Sequence, residues 1–325
     1  DNYSNDQTIS VIEDFLKNPM HKFLEERTVI IKNAKNIGFA PAHNQAIQWT
    51  KSELICMMNP DILMDYDYFK HCIEFLDQHP TTAAVSGALF QWDFNQCISN
   101  ESDACLTEYG KTDRIDTLGL TLTRKHKILE LNQAPVRNHP YEVFGVSGAL
   151  PLYQRNALQA VKVPLFEKSF KIYLNQAKPK LYEYFDTDFF CYKEDVDLAY
   201  RLRLFGFSAY TVPKARAWHD RTARANSAST IKNRRAKSAF VNYHSYKNHL
   251  FTLIKNVPGR FFIRCFVQIS FYELGKFFYI LLFEYKTLRS FKKIIGLLPK
   301  MIKKRAYIKR ATKENGWRYI EPWLE

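Results

Sequence analysis

Five carboxylates follow an aromatic-rich run between Tyr184 and Phe207, and three of them, Glu194, Asp195 and Asp197, crowd into one turn after Lys193. Acids in a first helical turn complement the helix dipole. A carboxylate set beside an apolar aromatic wall is also what a general base needs. Val196, Leu198, Ala199, Tyr200, Leu202, Arg203 and Phe205 carry helical spacing and Gly206 is a fitting stop, so the stretch reads as an Arg-bearing amphipathic helix. Asp61 is the second candidate. It stands just past an apolar run and behind Pro60, where a carboxylate can hold Mg²⁺ or Mn²⁺ against a diphosphate, although Asn59-Pro60-Asp61 is also a good turn sequence. His219, beside Trp218, reads as a metal ligand, a phosphate donor or a packed histidine. Gly145 and Gly148 permit close backbone approach.

The elements that must position these residues alternate. An amphipathic helix (Ile9 to Leu16) precedes a β-branched strand, Thr28–Lys32. A helix through Asn44 and Trp49 leads to the apolar run Leu54–Met58, which suits a buried parallel strand with a polar end at Asn59 and Asp61. A helix (Tyr66 to His79) and a strand (Ala83 to Trp92) follow, and the alternation predicts an open α/β sheet with its ligand beyond the carboxyl ends of the strands. Residues 95–112 are polar and loop-like. Asp116–Thr123 and Lys127–Leu131 alternate as paired strands, Val143–Leu150 reads as a glycine-punctuated strand, and Tyr153–Val161 as a short helix. Phe166–Lys180 is a basic, aromatic insertion. A strand at Ser208–Val212 leads through Pro213 to Trp218 and His219.

Composition bounds the class. With 325 residues, 46% hydrophobic and 25% charged, the chain is globular rather than disordered. Its six cysteines contain no CxxC pair and no zinc spacing, which favours reduced thiols and a cytoplasmic setting. The net charge of +14 is concentrated: fourteen Lys or Arg lie between Arg260 and Lys313, against only Glu273 and Glu284. Such a surface seeks phosphates of nucleic acid, lipid head groups or a sugar nucleotide. Residues 221–237 are basic, and 239–255 read as an aromatic helix. Phe261–Phe283 is apolar, but its longest charge-free run after Lys276 is far short of the roughly 20 residues that span a bilayer. A helix lying in the plane of an anionic membrane surface, followed by the basic run Lys300–Arg310, fits the pattern. The charge sits beside an apolar helix rather than among interleaved surface aromatics, which argues against a nucleic-acid-binding module.

Six motifs occur in one order: DNYSND at 1–6, NIGFAPAHN at 36–44, NPD at 59–61, VSGA at 146–149, YKEDVDLAYRLRLFGF at 192–207 and WH at 218–219. Together they resemble the inverting glycosyltransferases of family 2, which have the GT-A (Rossmann-like) fold. The likeness covers roughly residues 1–250. It is nearest to bacterial rhamnosyltransferase-like members, in which NPD stands where relatives carry Asp-x-Asp. The resemblance implies that Asp1 recognises the nucleotide base and that Asn36, Gly38, Phe39 and Asn44 line the donor pocket. It implies a divalent metal, Mg²⁺ or Mn²⁺, at Asp61 with Asn59 beside it, and His219 approaching metal or diphosphate. Asp195 becomes the catalytic base with Glu194 supporting it, and Gly148 and Trp218 fall on the acceptor side. Arg234 or Arg235 is a further diphosphate contact, from charge alone.

The implied organisation is a GT-A domain over 1–225, with a nucleotide-sugar half (1–92) and an acceptor half (93–225), and a basic helical region over 226–325. The implied partners are a TDP-rhamnose or UDP-sugar donor, a glycan or lipid-linked acceptor, and the cytoplasmic face of the plasma membrane. The family opens with a strand and turn ahead of the position of Asp1, so the sequence is expected to be part of a longer reading frame. A catalytically inactive glycan-binding relative is the alternative from another functional class.

Overall fold

In the computed structural model, which describes residues 1–94, 110–166, 181–221, 234–235, 237–312 and 315–324, residues 1–38 contain helices α1 (Thr8–Lys17) and α2 (Lys22–Glu25) but no strand. Then follow α3 (Phe39–Trp49), β1 (Leu54–Cys56), β2 (Ile62–Met64), α4 (Tyr68–Gln78), β3 (Thr82–Trp92), β4 (Lys111–Thr117), β5 (Leu120–Leu122), β6 (Ile128–Glu130), β7 (Tyr141–Glu142), β8 (Leu152–Gln154) and α5 (Arg155–Val161). After β9 (Val163–Pro164) and β10 (Tyr182–Glu183) come α6 (Glu194–Leu204), β11 (Ser208–His219), α7 (Ala239–Asn256), α8 (Gly259–Arg264), α9 (Phe266–Phe283) and α10 (Tyr285–Ala311).

The two long strands β3 and β11 run parallel at the centre of a seven-stranded sheet of order β1-β8-β3-β11-β2, with β4 on β3 and β7 on β11. Alternate residues of β3 bury on opposite sides, as the pleat requires. Val85 and Leu89 meet Tyr68, Cys72, Phe75 and Leu76 of α4. Ala84, Ala88 and Phe90 meet Ile47 of α3, Leu158 of α5 and Leu198 of α6. The architecture is helix, sheet, helix.

The C-terminal helices add a further layer. Val196, Ala199, Tyr200 and Leu204 on the other side of α6 share a core with Leu253, Phe261, Ile269 and Ile308. Helix α6 is therefore covered on all sides, and of its eleven residues only Asp195 is not buried. The amphipathic reading fails because its arginines are satisfied inside the protein. Arg201 donates to Asp197 at 3.0 Å and to the carbonyls of Val161 and Tyr184 at 2.8 and 2.5 Å, and Arg203 donates to Glu142 and the carbonyls of Phe144 and Val143.

Three other expectations are corrected. Thr28–Lys32 forms no strand; its segment is bridged to Asp1, whose backbone nitrogen donates to Ile31 O at 2.7 Å and whose carbonyl accepts from Asn33 N–H at 3.0 Å. Leu54–Cys56 is not a parallel central strand. It lies at the sheet end, antiparallel to β8, and its run is apolar because both of its faces are covered: Ile55 packs into one core cluster, Leu54 and Cys56 against another. Val143–Leu150 leaves the sheet after β7 to follow α6, where a Cβ on Gly145 would lie 2.3 Å from that of Ala199. The 95–112 loop, the 166–180 insertion and the basic stretch after Arg221 fall mostly outside the described residues.

Candidate active site

Asp195 sits half-buried in the first turn of α6 with both carboxylate oxygens engaged. Gly148 N–H donates to Oδ2 at 3.0 Å and Val196 N–H to Oδ1 at 2.7 Å. At Gly148 a Cβ would approach the Asp195 side chain to 3.3 Å, so a residue without one lets this backbone close on the acid. Gly148, expected on the acceptor side, thus holds Asp195. The turn after β1 lies alongside the same backbone: Met57 N–H donates to Pro151 O at 3.1 Å and Asn59 N–H to Ala149 O at 3.0 Å. The Asn59–Asp61 turn and Asp195 are in this way tied to one stretch, residues 148–151.

Asp61 leads into β2, which pairs antiparallel with the carboxyl end of β11, His219 opposite Ile62. His219 is buried between two acids. Its Nδ1 lies 2.8 Å from Asp116 Oδ2 and its Nε2 3.3 Å from Asp61 Oδ1. Arg221 closes the chain behind it, 3.4 Å from Asp116 and 2.5 Å from Glu130. Burial works against the Arg221 charge, but Glu130 and Asp116 outweigh it and raise its pKa, with Asp195 contributing to the same field. An imidazole oriented by a carboxylate on one nitrogen is the arrangement metal-binding histidines use, and here the other nitrogen faces Asp61.

The donor set fits a divalent cation. Asp61 Oδ1 is buried without a hydrogen-bond donor and faces His219 Nε2. Among the described residues no group of three His, Cys, Asp or Glu converges on a cation position. The described residues offer two ligand atoms there, and phosphate oxygens and water would complete the shell of a hard cation.

Glu194 differs from its neighbour. It is 7% exposed, and its Oε2 has no hydrogen-bond partner among the described residues. Burial, then the Asp195 charge, pushes its pKa up to about 8. At neutral pH it is largely protonated. The sign for stability follows: an acid whose folded pKa exceeds its unfolded value binds more protons when folded, so stability falls as pH rises from about 4.5 to 8. In Glu194→Gln that contribution disappears. Melting temperatures measured from pH 5 to 8 are expected to fall less steeply for the variant than for the parent; parallel curves would contradict the assignment.

The loop entering α6 is held under strain. Phe190, Tyr192 and Lys193 have φ of 68°, 66° and 68°, a region that costs a non-glycine residue about 1–2 kcal/mol. Asn248 of α7 compensates. Its amide nitrogen donates to the carbonyls of Phe189, Cys191 and Tyr192 at 3.0, 2.8 and 2.6 Å. Gly38, at φ 97°, packs on the other side of this loop, where a Cβ would lie 2.5 Å from the Phe190 ring.

The remaining expected residues divide. Asp1 is exposed and caps its own turn through the N–H groups of Tyr3 and Ser4, both at 3.0 Å. Its neighbour Asn2 donates to Asn36 Oδ1 at 3.0 Å and accepts from Ile37 N–H at 2.9 Å, so Asp1 and the 36–39 segment are brought together. Phe39 stacks on His43 at 3.8 Å. Asn44 faces the protein: its amide donates to Phe185 O at 2.7 Å and accepts from the N–H groups of Tyr184 and Phe185 at 3.1 and 2.9 Å. Trp218 is likewise committed to the core, 6% exposed, with Nε1 donating to Thr112 O at 3.2 Å. Arg234 is paired with Glu284, and Arg235 stands 5.6 Å from the Phe283 ring. Sequence reasoning missed Asp116, Arg221 and Asn248. Asp116 is 103 residues from the histidine it orients, and no local pattern marks it.

The three-layer α/β domain thus brings the Asn-Pro-Asp turn against a buried histidine and ties a helix-opening acid to the same backbone stretch. Residues 1–160 match the family described as glycosyl transferase family 2. The domain has the GT-A fold. No curated protein matches the chain significantly. Solved structures similar to it include GalNAc-T7 with UDP, GalNAc and Mn²⁺, at 11% identity and TM-score 0.48 over 78% of this chain and 40% of that one. The mannosyltransferase PcManGT of Pyrobaculum calidifontis with GDP-Man and Mn²⁺ has 13% identity and TM-score 0.43 over 98% and 76%. TarS of S. aureus has 14% and 0.37 over 80% and 71%. The chain thus spans about 40% of the length of the first of these.

Proposed function

We propose that this protein transfers a sugar, with inversion, from a nucleoside diphosphate donor to a lipid-linked or cell-surface glycan, and that Asp195 is the general base. The observation that carries this reading is the Gly148–Asp195 hydrogen bond, made from the stretch that also bonds the Asn59–Asp61 turn. As the donor's anomeric carbon gains positive character, the acceptor hydroxyl attacks the face opposite the leaving phosphate. Asp195 takes its proton, and the backbone N–H groups on both oxygens hold the acid in place. A divalent cation held by Asp61 and His219 would supply charge neutralisation for the departing diphosphate. Asp116 and Arg221 orient His219 for that task. TDP-rhamnose is the first donor to test, with UDP-hexoses next.

The cytoplasmic membrane face is the proposed working site. Helix α9 is 18 residues long with a mean hydropathy of 1.3, apolar enough by length and composition to cross a bilayer, and only about a tenth of it is covered. Its charges turn inward: Glu273 meets His249 Nε2 at 2.7 Å and Lys276 lies over the Tyr246 ring at 4.7 Å. Its outer face carries Val267, Phe271, Leu274, Phe278 and Leu282. Basic residues of α10 (Lys292, Lys293, Lys303) are exposed among Ile295, Leu298 and Ile302. An outward apolar face flanked by lysines suits a helix lying on an anionic bilayer.

The test is a panel of sugar nucleotides with Mn²⁺ or Mg²⁺ and a lipid-linked acceptor extract, read as nucleoside diphosphate release. EDTA is expected to abolish turnover. Asp61→Ala is expected to weaken donor binding by roughly tenfold or more, by analogy with the 10–100-fold effects at metal-site ligand shells. Release that persists in EDTA and in Asp61→Ala would remove the metal from the proposal.

A further inference from the structure

A cavity of about 310 Å³ opens where α7 begins and α9 passes into α10. Arg234, Arg235, Lys237 and Lys286 line it, with Tyr279 and Phe283 as apolar wall. Glu284 is the one acid in the lining, and it is already used: Arg234 grips both of its oxygens and Thr287 Oγ1 donates to it at 3.2 Å. Among the described residues Arg235, Lys237 and Lys286 have no carboxylate partner, and the contact of Arg235 is the Phe283 ring. Lys237 is half-buried. Burial, joined by the charges of Arg221 and Arg234, lowers its ammonium pKa, and Glu130 only partly offsets them. A cavity that gathers four cations against one acid is stabilised by an incoming anion.

Two further features say what kind of anion. The mouth of the cavity joins the outer face of α9, where Phe283, Leu282, Phe278, Leu274 and Phe271 are between 55% and 74% exposed. Positions 271, 274, 278 and 282 fall on one helical stripe, which leads away from the cations like a track for a hydrocarbon chain. The cavity is also joined to the candidate site through α7: Asn242 near its start lines the cavity, and Asn248, about two turns on, holds the loop that enters α6 ahead of Asp195.

We propose that this cavity binds the phosphate or diphosphate head of a long-chain lipid acceptor, with the chain lying along the outer face of α9 and the head directed toward Asp195. This rests on the reading of a lipid-linked acceptor given above and assigns its anchoring site to residues outside the matched family segment. Arg235, Lys237 and Lys286 carry the head, and Phe278 and Leu282 carry the chain.

The experiment is calorimetric titration of the full chain with farnesyl diphosphate, inorganic pyrophosphate and farnesol, and flotation with phosphatidylglycerol vesicles. Farnesyl diphosphate is expected to bind at least about tenfold more tightly than either fragment, and Arg235→Ala/Lys237→Ala to lose about tenfold or more, the scale of a lost charge-assisted bond. Phe278→Ser is expected to weaken farnesyl diphosphate but not pyrophosphate. Both substitutions are on exposed or half-exposed side chains, and an unchanged melting temperature checks the fold. Equal binding by parent and double variant would overturn the site. So would pyrophosphate binding as tightly as farnesyl diphosphate, or vesicle flotation without any farnesyl diphosphate binding, which would mean a free-phosphate site or general lipid adhesion. Nucleotide titration of the same samples separates failure of this site from failure of the donor reading.

Discussion

Asp195→Asn is expected to lower kcat by about 10²–10⁴-fold, the contribution of a positioned general base, while nucleotide-sugar affinity stays within a few-fold of the parent. On the proposed reading the two quantities separate, because Asp195 serves the acceptor hydroxyl and Asp61 the cation that neutralises the donor's diphosphate. Both Asp195 oxygens accept backbone N–H groups. The amide therefore keeps one of these bonds and loses the other, at a cost of about 1 kcal/mol, too little to unfold the helix. The substitution has a second signature. The Asp195 charge helps to raise the Glu194 pKa, second only to burial. In Asp195→Asn the Glu194 carboxyl is expected to titrate lower, and the fall in stability toward pH 8 to flatten. Turnover within a few-fold of the parent would refute the base assignment.

The second large effect is on stability. Four acids, Glu183, Asp186, Asp188 and Asp197, meet four bases in the interior between the α6 entry loop and the C-terminal helices. Lys304 of α10 lies 2.5 Å from both Glu183 and Asp186 and 2.9 Å from Asp188. Lys255 of α7 bridges Asp186 and Asp197 at 2.5 and 2.6 Å, Lys300 meets Asp188 at 2.9 Å and Arg201 meets Asp197 at 3.0 Å. Burial alone would neutralise Lys304, but Asp186, Glu183 and Asp188 outweigh it and hold it charged. Removing one member leaves buried charge without a partner, so Lys304→Met is expected to cost about 3–5 kcal/mol. Lys303→Met, on the exposed face of the same helix, should stay within about 0.5 kcal/mol. Urea unfolding of the two variants decides this. A loss below about 1 kcal/mol at Lys304 would mean that the network contributes little. Burial opposes ionisation of Asp186, yet Lys255 and Lys304 hold its carboxyl well below the usual range. Its stabilisation is therefore present above about pH 4 and lost as pH falls further.

The central alternation was legible in the sequence because each element states its own period. Helix α4, strand β3 and helix α6 announce themselves through spacing and punctuation, and β5 pairs with β6 as their alternation requires. The misses share a physical cause, since partners distant in sequence decide them. Arg201 and Arg203 count as polar in any helical pattern, yet backbone carbonyls and acids from three other segments satisfy them in the core. Val143–Leu150 has strand composition but is drawn to α6 by contacts at Gly145 and Gly148. Thr28–Lys32 has strand propensity, but it forms no strand and its segment is bonded to Asp1. Motif order singles out Asp61, Asp195 and His219 as the candidate site. The residues that orient them (Asp116, Arg221, Asn248) could not be read from it, because their meaning arises only when β4, the end of β11 and α7 converge.

The most direct measurement is the anomeric configuration of the product, determined by NMR of the glycan formed from a sugar nucleotide of known configuration. A single displacement with Asp195 as base gives a linkage of opposite configuration to the donor. A product that retains the donor's configuration would contradict the assignment of Asp195 as base in a direct displacement.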